Sequence, residues 1–202
     1  TALYIINDSL ELVGSIEDLA PNETIYSVRF MGDVGYFVTY RQTDPLFAVD
    51  LSDPADPIVT DALKIPGFSN YLHAYSDHLL FGFGMDVDPD TGISTGLKLS
   101  MFDISDPYDI REVNKTVLSD TLFSTAQYDH KSLMIDPEKN LIGFYAESYN
   151  PDTSDYNDYY FIYSYDPSDG FQEVFRCDIL QDPDLSYGTD AYGMYAGTIR
   201  GL

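Results

Sequence analysis

Leu46-Phe-Ala-Val-Asp-Leu-Ser-Asp-Pro54 returns as Leu99-Ser-Met-Phe-Asp-Ile-Ser-Asp-Pro107, and more loosely as Phe161-Ile-Tyr-Ser-Tyr-Asp-Pro167. Each copy is an apolar, alternating run that stops at an aspartate and a proline-marked turn. Strict alternation is the period of a strand, and Asp and Pro favour turns through side-chain bonding to backbone and a preset φ. The aligned acids are Asp50, Asp103 and Asp166, with spacings of 53 and 63 residues. Tyr4-Ile-Ile-Asn7 is a faint earlier copy. Between the echoes lie further strand-like runs, among them Tyr26–Phe30, Gly35–Tyr40 and Leu141–Tyr145. The 18 Tyr and 12 Phe suit pleated, half-buried surfaces. No long stretch has helical periodicity, so the class is all-β.

A unit of strand, turn, strand, loop, strand, Asp-Pro turn, strand is the four-stranded antiparallel blade of a β-propeller. The blades are expected at about 25–66, 68–119 and 125–181, with partial blades at 1–20 and 188–202. Two closures are open: the two partial blades complete a fourth sheet, or the chain is a fragment of a larger ring. The first and last residues lie inside apolar runs, which favours the fragment and places any signal peptide upstream. Open blade edges would invite dimerisation.

Acidic residues outnumber basic ones 34 to 10, for a formal charge of −24. That sheath repels phosphate backbones and anionic membrane surfaces, so nucleic acid is excluded as a general partner. No apolar run approaches the roughly 20 residues of a spanning helix, so no membrane insertion is expected. The single Cys177 excludes an internal disulfide and a cysteine zinc cluster. The acidity has two readings, adaptation to salt or simple solubility outside the cell. Asn22-Glu-Thr24 and Asn114-Lys-Thr116 are sequons that matter only in a eukaryotic host.

The stretch from Ile25 to about Tyr145 resembles a family of secreted prokaryotic proteins with a C-terminal β-propeller distantly related to WD40 repeats. The residues that carry the likeness begin with Ile25-Tyr-Ser-Val-Arg-Phe-Met-Gly-Asp33, Val38-Thr-Tyr-Arg-Gln-Thr-Asp-Pro-Leu-Phe47 and Val49-Asp-Leu-Ser-Asp-Pro54. Lys64-Ile-Pro-Gly-Phe-Ser69, Tyr71-Leu-His73, Gly96-Leu-Lys-Leu-Ser-Met-Phe-Asp103 and Tyr128-Asp-His-Lys131 continue it in order. The resemblance implies a propeller fold and an extracellular or cell-surface location, and no agreed activity. The chain has no Trp, so the Trp-Asp signature of true WD40 blades is absent.

Three groups are candidate sites. Asp86, Asp88, Asp90 and Ser94 alternate along Asp86-Val-Asp-Pro-Asp-Thr-Gly-Ile-Ser94, which gathers oxygen ligands on one side of a loop, as calcium requires. Pro89 and a late Gly92 break the EF-hand pattern, and the ordinary reading is a solvated hairpin tip. Asn150-Pro-Asp-Thr-Ser-Asp-Tyr-Asn-Asp158 is a second acidic loop, explained by turn chemistry alone. The third group is basic. Arg29 and His73 each lie four residues before an aspartate, and His130 shares strand parity with Asp136. With Arg41 and Lys131, these residues would converge on one mouth of the central channel and focus an anionic ligand. Against that stands structural ion pairing with Asp44, Asp50, Asp103 or Asp129.

There is no Gly-x-Ser-x-Gly elbow, His-Glu-x-x-His or Walker loop, so no catalytic residue is assigned. Asp129 and His130, as neighbours on a strand, would face opposite ways and form no acid–histidine couple. The expected function is a non-enzymatic binding or scaffold module for protein or glycan, with Tyr149, Tyr156, Tyr159 and Tyr187 as exposed contacts. The alternative is an extracellular hydrolase of a glycan or phosphoester working at the channel. No cofactor is expected beyond calcium.

Overall fold

The computed structural model describes residues 1–40, 44–150 and 152–179. A hairpin of β1 (Leu3–Ile6) and β2 (Leu12–Ile16) precedes three larger antiparallel sheets. The first holds β3 (Thr24–Met31), β4 (Val34–Tyr40), β5 (Asp44–Asp50) and β6 (Ile58–Ile65) in sequence order. The second repeats that order with β7 (Phe68–Ala74), β8 (Leu79–Val87), β9 (Ser94–Asp103) and β10 (Arg111–Leu118). In the third, β11 (Thr121–Phe123) and β12 (Leu133–Asp136) both pair with β13 (Leu141–Asn150), which leads to β14 (Asp155–Asp166) and β15 (Gly170–Asp178). Two single 3₁₀ turns, Thr125–Gln127 and His130–Ser132, separate β11 from β12. These are the meandering sheets of propeller blades, as the sequence echo implies. The third sheet begins at Thr121, ahead of the boundary at 125 read from the sequence. The expected partial blade at 188–202 lies outside the described residues.

The echo has one local cause. The carboxylate of Asp50 accepts from the Ser52 N–H at 2.8 Å, Asp103 from Ser105 at 3.0 Å and Asp166 from Ser168 at 2.8 Å. In each blade the aspartate ends one strand and folds the chain into an Asx turn before the fourth. The Ser52 backbone N–H holds the Asp50 carboxyl below its usual range, with the serine hydroxyl helping, and Ser105 does the same for Asp103. The following acids add a second turn: Asp53 accepts from the Ala55 N–H at 2.9 Å and Asp106 from Tyr108 at 2.9 Å. Each fourth strand also carries a bulge just after it begins, at Thr60, Val113 and Val174.

Alternation sends apolar side chains to both faces of each blade, so each sheet packs against the sheet before and after it. Tyr36, Val38, Leu46 and Ala48 of the first sheet meet Leu72, Leu80 and Phe102 of the second. The opposite parity of the second sheet, with Phe81, Phe83, Leu97, Leu99 and Met101, meets Ile142, Phe144, Phe161 and Tyr163 of the third. Phe37 and Val49 turn the other way, toward Leu3, Ile16 and Leu19 of the hairpin and its exit. Consecutive sheets are therefore stacked face to face in chain order.

One charge is buried between the first two sheets. Lys98, 1% exposed, donates from Nζ to the Pro66 carbonyl at 2.7 Å and lies 3.9 Å from Glu112. It ties the β6–β7 link to the second sheet. The same link needs Gly67, whose φ of +79° admits few other residues. Gly84, across the β7–β8 pair, lies directly against the Phe68 carbonyl and leaves no room for a Cβ. Gly84→Ala should therefore shift the β7–β8 pair and lower stability by about 1–3 kcal/mol. The measurement is a lower denaturant midpoint with an unchanged m-value; an unchanged midpoint would show that the strands do not approach so closely.

Candidate functional site

The first strand of each blade carries a bulge near the same end. Register slips between Ile25 and Ser27 in β3, between Ser69 and Tyr71 in β7, and between Thr121 and Phe123 in β11. The extra residues are Tyr26, Asn70 and Leu122. A bulge re-aims a side chain out of the pleat, and here all three line one cleft of about 320 Å³. Phe68, Phe123, Gln127 and Tyr128 add to its wall. Tyr26 meets Phe68 edge-on at 5.1 Å between ring centroids, and Phe123 stacks on Tyr128 at 5.9 Å. Gln127 donates to the Asn70 side-chain oxygen at 3.4 Å. Its own position is set by a capping box, in which Ser124 N–H donates to Gln127 and the Ser124 hydroxyl accepts from Ala126 N–H. All the lining residues are uncharged, although the chain as a whole is strongly acidic. Sequence reasoning missed this cleft. The one legible signal was Ser124-Thr-Ala-Gln127, because bulges leave no pattern in a single sequence.

Beside the cleft, the inner strands bring together most of the predicted basic group. Ser27 of β3 donates to the Ser69 carbonyl of β7 at 2.8 Å, which stitches the two blades at their inner edges. Arg29 then lies close enough to act on both: burial pushes the His73 pKa down and the Arg29 charge lowers it further, while burial raises that of Tyr71 and Arg29 offsets part of the rise. The Tyr71 hydroxyl is 3.0 Å from His73 Nδ1, and His130 stacks on the Tyr71 ring at 6.2 Å. Lys131 is exposed, next to His130, and its backbone N–H donates to Asp129. Arg41 lies outside the described residues. Tyr71, which links the two histidines, was not singled out from the sequence.

One expectation is corrected. His130 is not on a strand: Asp129 caps a 3₁₀ turn over His130–Ser132, so its parity with Asp136 has no meaning. The local capping bonds of Ser124 and Asp129 bend the chain where alternation suggested extension. Of the aspartates set against the cluster, the Asp44 side chain lies outside the described residues. Asp50 and Asp103 close their own turns and Asp129 caps its own. Among the described residues, the ion pairs join Lys98, Arg111, Lys115, Lys139 and Arg176 to other acids, and none includes Arg29, His73, His130 or Lys131. The Arg29 Nε is buried with no hydrogen-bond partner.

The acidic hairpin tip is folded on itself. Asp88 Oδ1 accepts from the Asp90 and Thr91 N–H groups at 3.0 and 2.8 Å and from the Thr91 hydroxyl at 2.9 Å. Asp86 accepts from Thr95 and pairs with Lys115 at 3.2 Å. Asp90 is exposed, and Ser94 lines the cleft. Among the described residues no three His, Cys, Asp or Glu side chains are gathered as metal ligands. Of the tyrosines expected to be exposed, Tyr156 is, Tyr149 and Tyr159 are half-buried, and Tyr187 is outside the described residues.

Stacked antiparallel meanders, two of four strands and one of five, with repeated turns and bulges define the class as propeller blades. The family model of the beta propeller domain matches residues 1–200, and the chain belongs to that family. It is similar to an uncharacterized protein of Archaeoglobus fulgidus, 40% identical over 139 residues that cover 69% of this chain and 21% of that protein. It is similar as well to an uncharacterized protein of Methanocaldococcus jannaschii, 40% identical over 148 residues covering 73% and 22%. The chain thus spans about a fifth of the length of these relatives. No helix of the described residues is long and apolar enough to cross a membrane.

His73 gives the cluster a pH signature. Burial pushes its pKa down, and the nearby Arg29 pushes it further. The unfolded chain therefore takes up the proton first as pH falls below the ordinary histidine value of 6.5. Stability should drop as pH falls through that value, until folded His73 also protonates. His73→Gln should flatten this part of the profile in urea unfolding series at pH 5 to 7.5. Superimposable slopes for the two proteins would show that His73 is not buried beside Arg29.

Proposed function

We propose that this part of the molecule is a non-enzymatic binding module, displayed outside the cell or at its surface, and that its ligand is a glycan. The observation that carries this reading is the convergence of three equivalent bulges, at Tyr26, Asn70 and Leu122, on one uncharged cleft. Bulges weaken a sheet locally and are kept where a side chain has to be re-aimed. Aromatic faces beside side-chain amides match the chemistry of a sugar ring, with C–H faces to stack and hydroxyls that both donate and accept. The cluster of Arg29, His73, His130 and Lys131 neighbours the cleft along the chain, Tyr71 following Asn70 and His130 lying two residues past Tyr128, and it favours acidic substituents on the ligand.

The hydrolase alternative finds less support in this geometry. Among the described residues His73 is bonded to a tyrosine and not to a carboxylate, so no acid–histidine couple is oriented there. Calcium forms no part of this reading, since Asp86 and Asp88 are engaged by their own hairpin and by Lys115.

Tyr128 is 78% exposed, so Tyr128→Ala should leave the melting temperature unchanged. On a glycan array, followed by titration of the best neutral and uronic-acid hits, it should weaken both classes about fivefold through lost stacking. Arg29→Gln should weaken the acidic hits alone and remove their salt dependence. An array without hits, or hits that Tyr128→Ala leaves untouched, would overturn the proposal.

A further inference from the structure

A second recess lies between the β10–β11 link and the neighbouring end of the third sheet. It measures about 250 Å³ and is lined by Asp120, Ser148, Tyr149, Asn150, Asn157 and Tyr159. Its position follows from register. Ser148 in β13 stands between Thr121 of β11 and Asn157 of β14, on the parity of Phe144 and Ala146, so it faces the second sheet. The apolar interface ends here, and the link holds Asp120 across the gap by accepting the Tyr149 N–H at 2.9 Å on its carbonyl.

Ser148 is 3% exposed, and its hydroxyl has no hydrogen-bond partner. A bare buried hydroxyl is costly, and an alanine would fill the same place at no such cost. Around it stand one carboxylate and two carboxamides. The Tyr159 ring is fixed from one side, with the Arg176 guanidinium 5.3 Å from its centroid and that guanidinium gripped by Glu173 at 3.1 and 2.7 Å.

We propose that this recess is a carbohydrate subsite that takes a single pyranose ring. Neighbouring ring hydroxyls donate and accept in pairs, and Asp120, Ser148 and Asn157 offer both functions within one small space, with the Asn150 amide as a further donor while its oxygen accepts from the Asp152 N–H at 3.0 Å. An anion would meet Asp120 with no cation in the lining. A hard divalent cation would find one carboxylate where it needs several oxygen anions. An apolar ligand would leave the amides and the Ser148 hydroxyl bare. The volume lies below the range of about 300–1,000 Å³ typical of larger ligands, which fits one ring and not a chain. The site shares no residue with the cleft at Tyr26, Asn70 and Leu122 and stands or falls without it.

The test uses the whole chain with D-glucose, D-galactose, D-mannose and N-acetylglucosamine at millimolar concentration, read by saturation-transfer NMR and by thermal unfolding. At least one sugar should receive saturation from the wild type. Ser148→Ala should keep or raise the melting temperature while weakening that sugar about fivefold, and Asn157→Ala should weaken it similarly. The recess variants are also read in the Tyr128→Ala background, which removes stacking in the first cleft, so a signal that remains there and is lost with Asn157→Ala belongs to the recess, and failure of one site is told from failure of the other. The proposal is overturned if no sugar receives saturation, if the signal survives both recess substitutions, or if Ser148→Ala lowers the melting temperature, which would give the hydroxyl a structural partner instead.

Discussion

Each large sheet in this chain is apolar on the faces it turns to its neighbours, and it is stable only because another sheet covers them. Leu80 and Phe102 look one way from the second blade, and Phe81, Phe83 and Leu99 look the other. A sheet of that kind cannot stand alone in water, so the unit that folds is the stack. The turns serve this constraint. An Asx turn at Asp50, Asp103 or Asp166 reverses the chain at the same point of each sheet and keeps the register that puts every second residue into an interface. A slip of one residue would exchange the two faces and leave each interface with the wrong partners.

The same repetition that builds the stack builds the candidate site. A bulge that recurs at one level of every innermost strand turns three unlike residues, Tyr26, Asn70 and Leu122, toward a common space. The blades supply rigidity, and the loops and bulges supply chemistry. Charge is distributed accordingly. Asp50, Asp88 and Asp103 bond to backbone N–H groups of their own turns, while Arg29, His73 and His130 gather on the inner edges without carboxylate partners among the described residues. In a chain of charge −24, an uncharged cleft beside a small positive cluster is a local reversal of the surrounding field.

The repeat was legible because Leu46–Pro54 and Leu99–Pro107 state the rule of the fold twice in almost the same words. Alternation gave the strands, and Asp-Pro gave the turns. Arg29 and His73 were legible as neighbours because they hold matching places in matching strands. His130 was misplaced on a strand: the capping bonds of Ser124 and Asp129 outweigh a weak strand preference between β11 and β12. Lys98 reads as a polar interruption of an apolar run and is instead buried, because the Pro66 carbonyl waits where its ammonium ends. That partner is 32 residues away in the chain and belongs to another blade. The cleft and the recess depend on bulges and on the meeting of two sheets, which are tertiary events with no signature in one sequence.

The face-to-face stack is tested most directly by a double-mutant cycle across one interface. Phe83 of the second blade and Phe144 of the third meet edge-on with ring centroids 5.1 Å apart. Unfolding free energies of Phe83→Leu, Phe144→Leu and the double variant isolate their coupling. Direct packing predicts a favourable coupling of about 0.5–1.5 kcal/mol. Strict additivity within about 0.3 kcal/mol would mean that the two rings do not touch, and that the blades are not stacked in chain order.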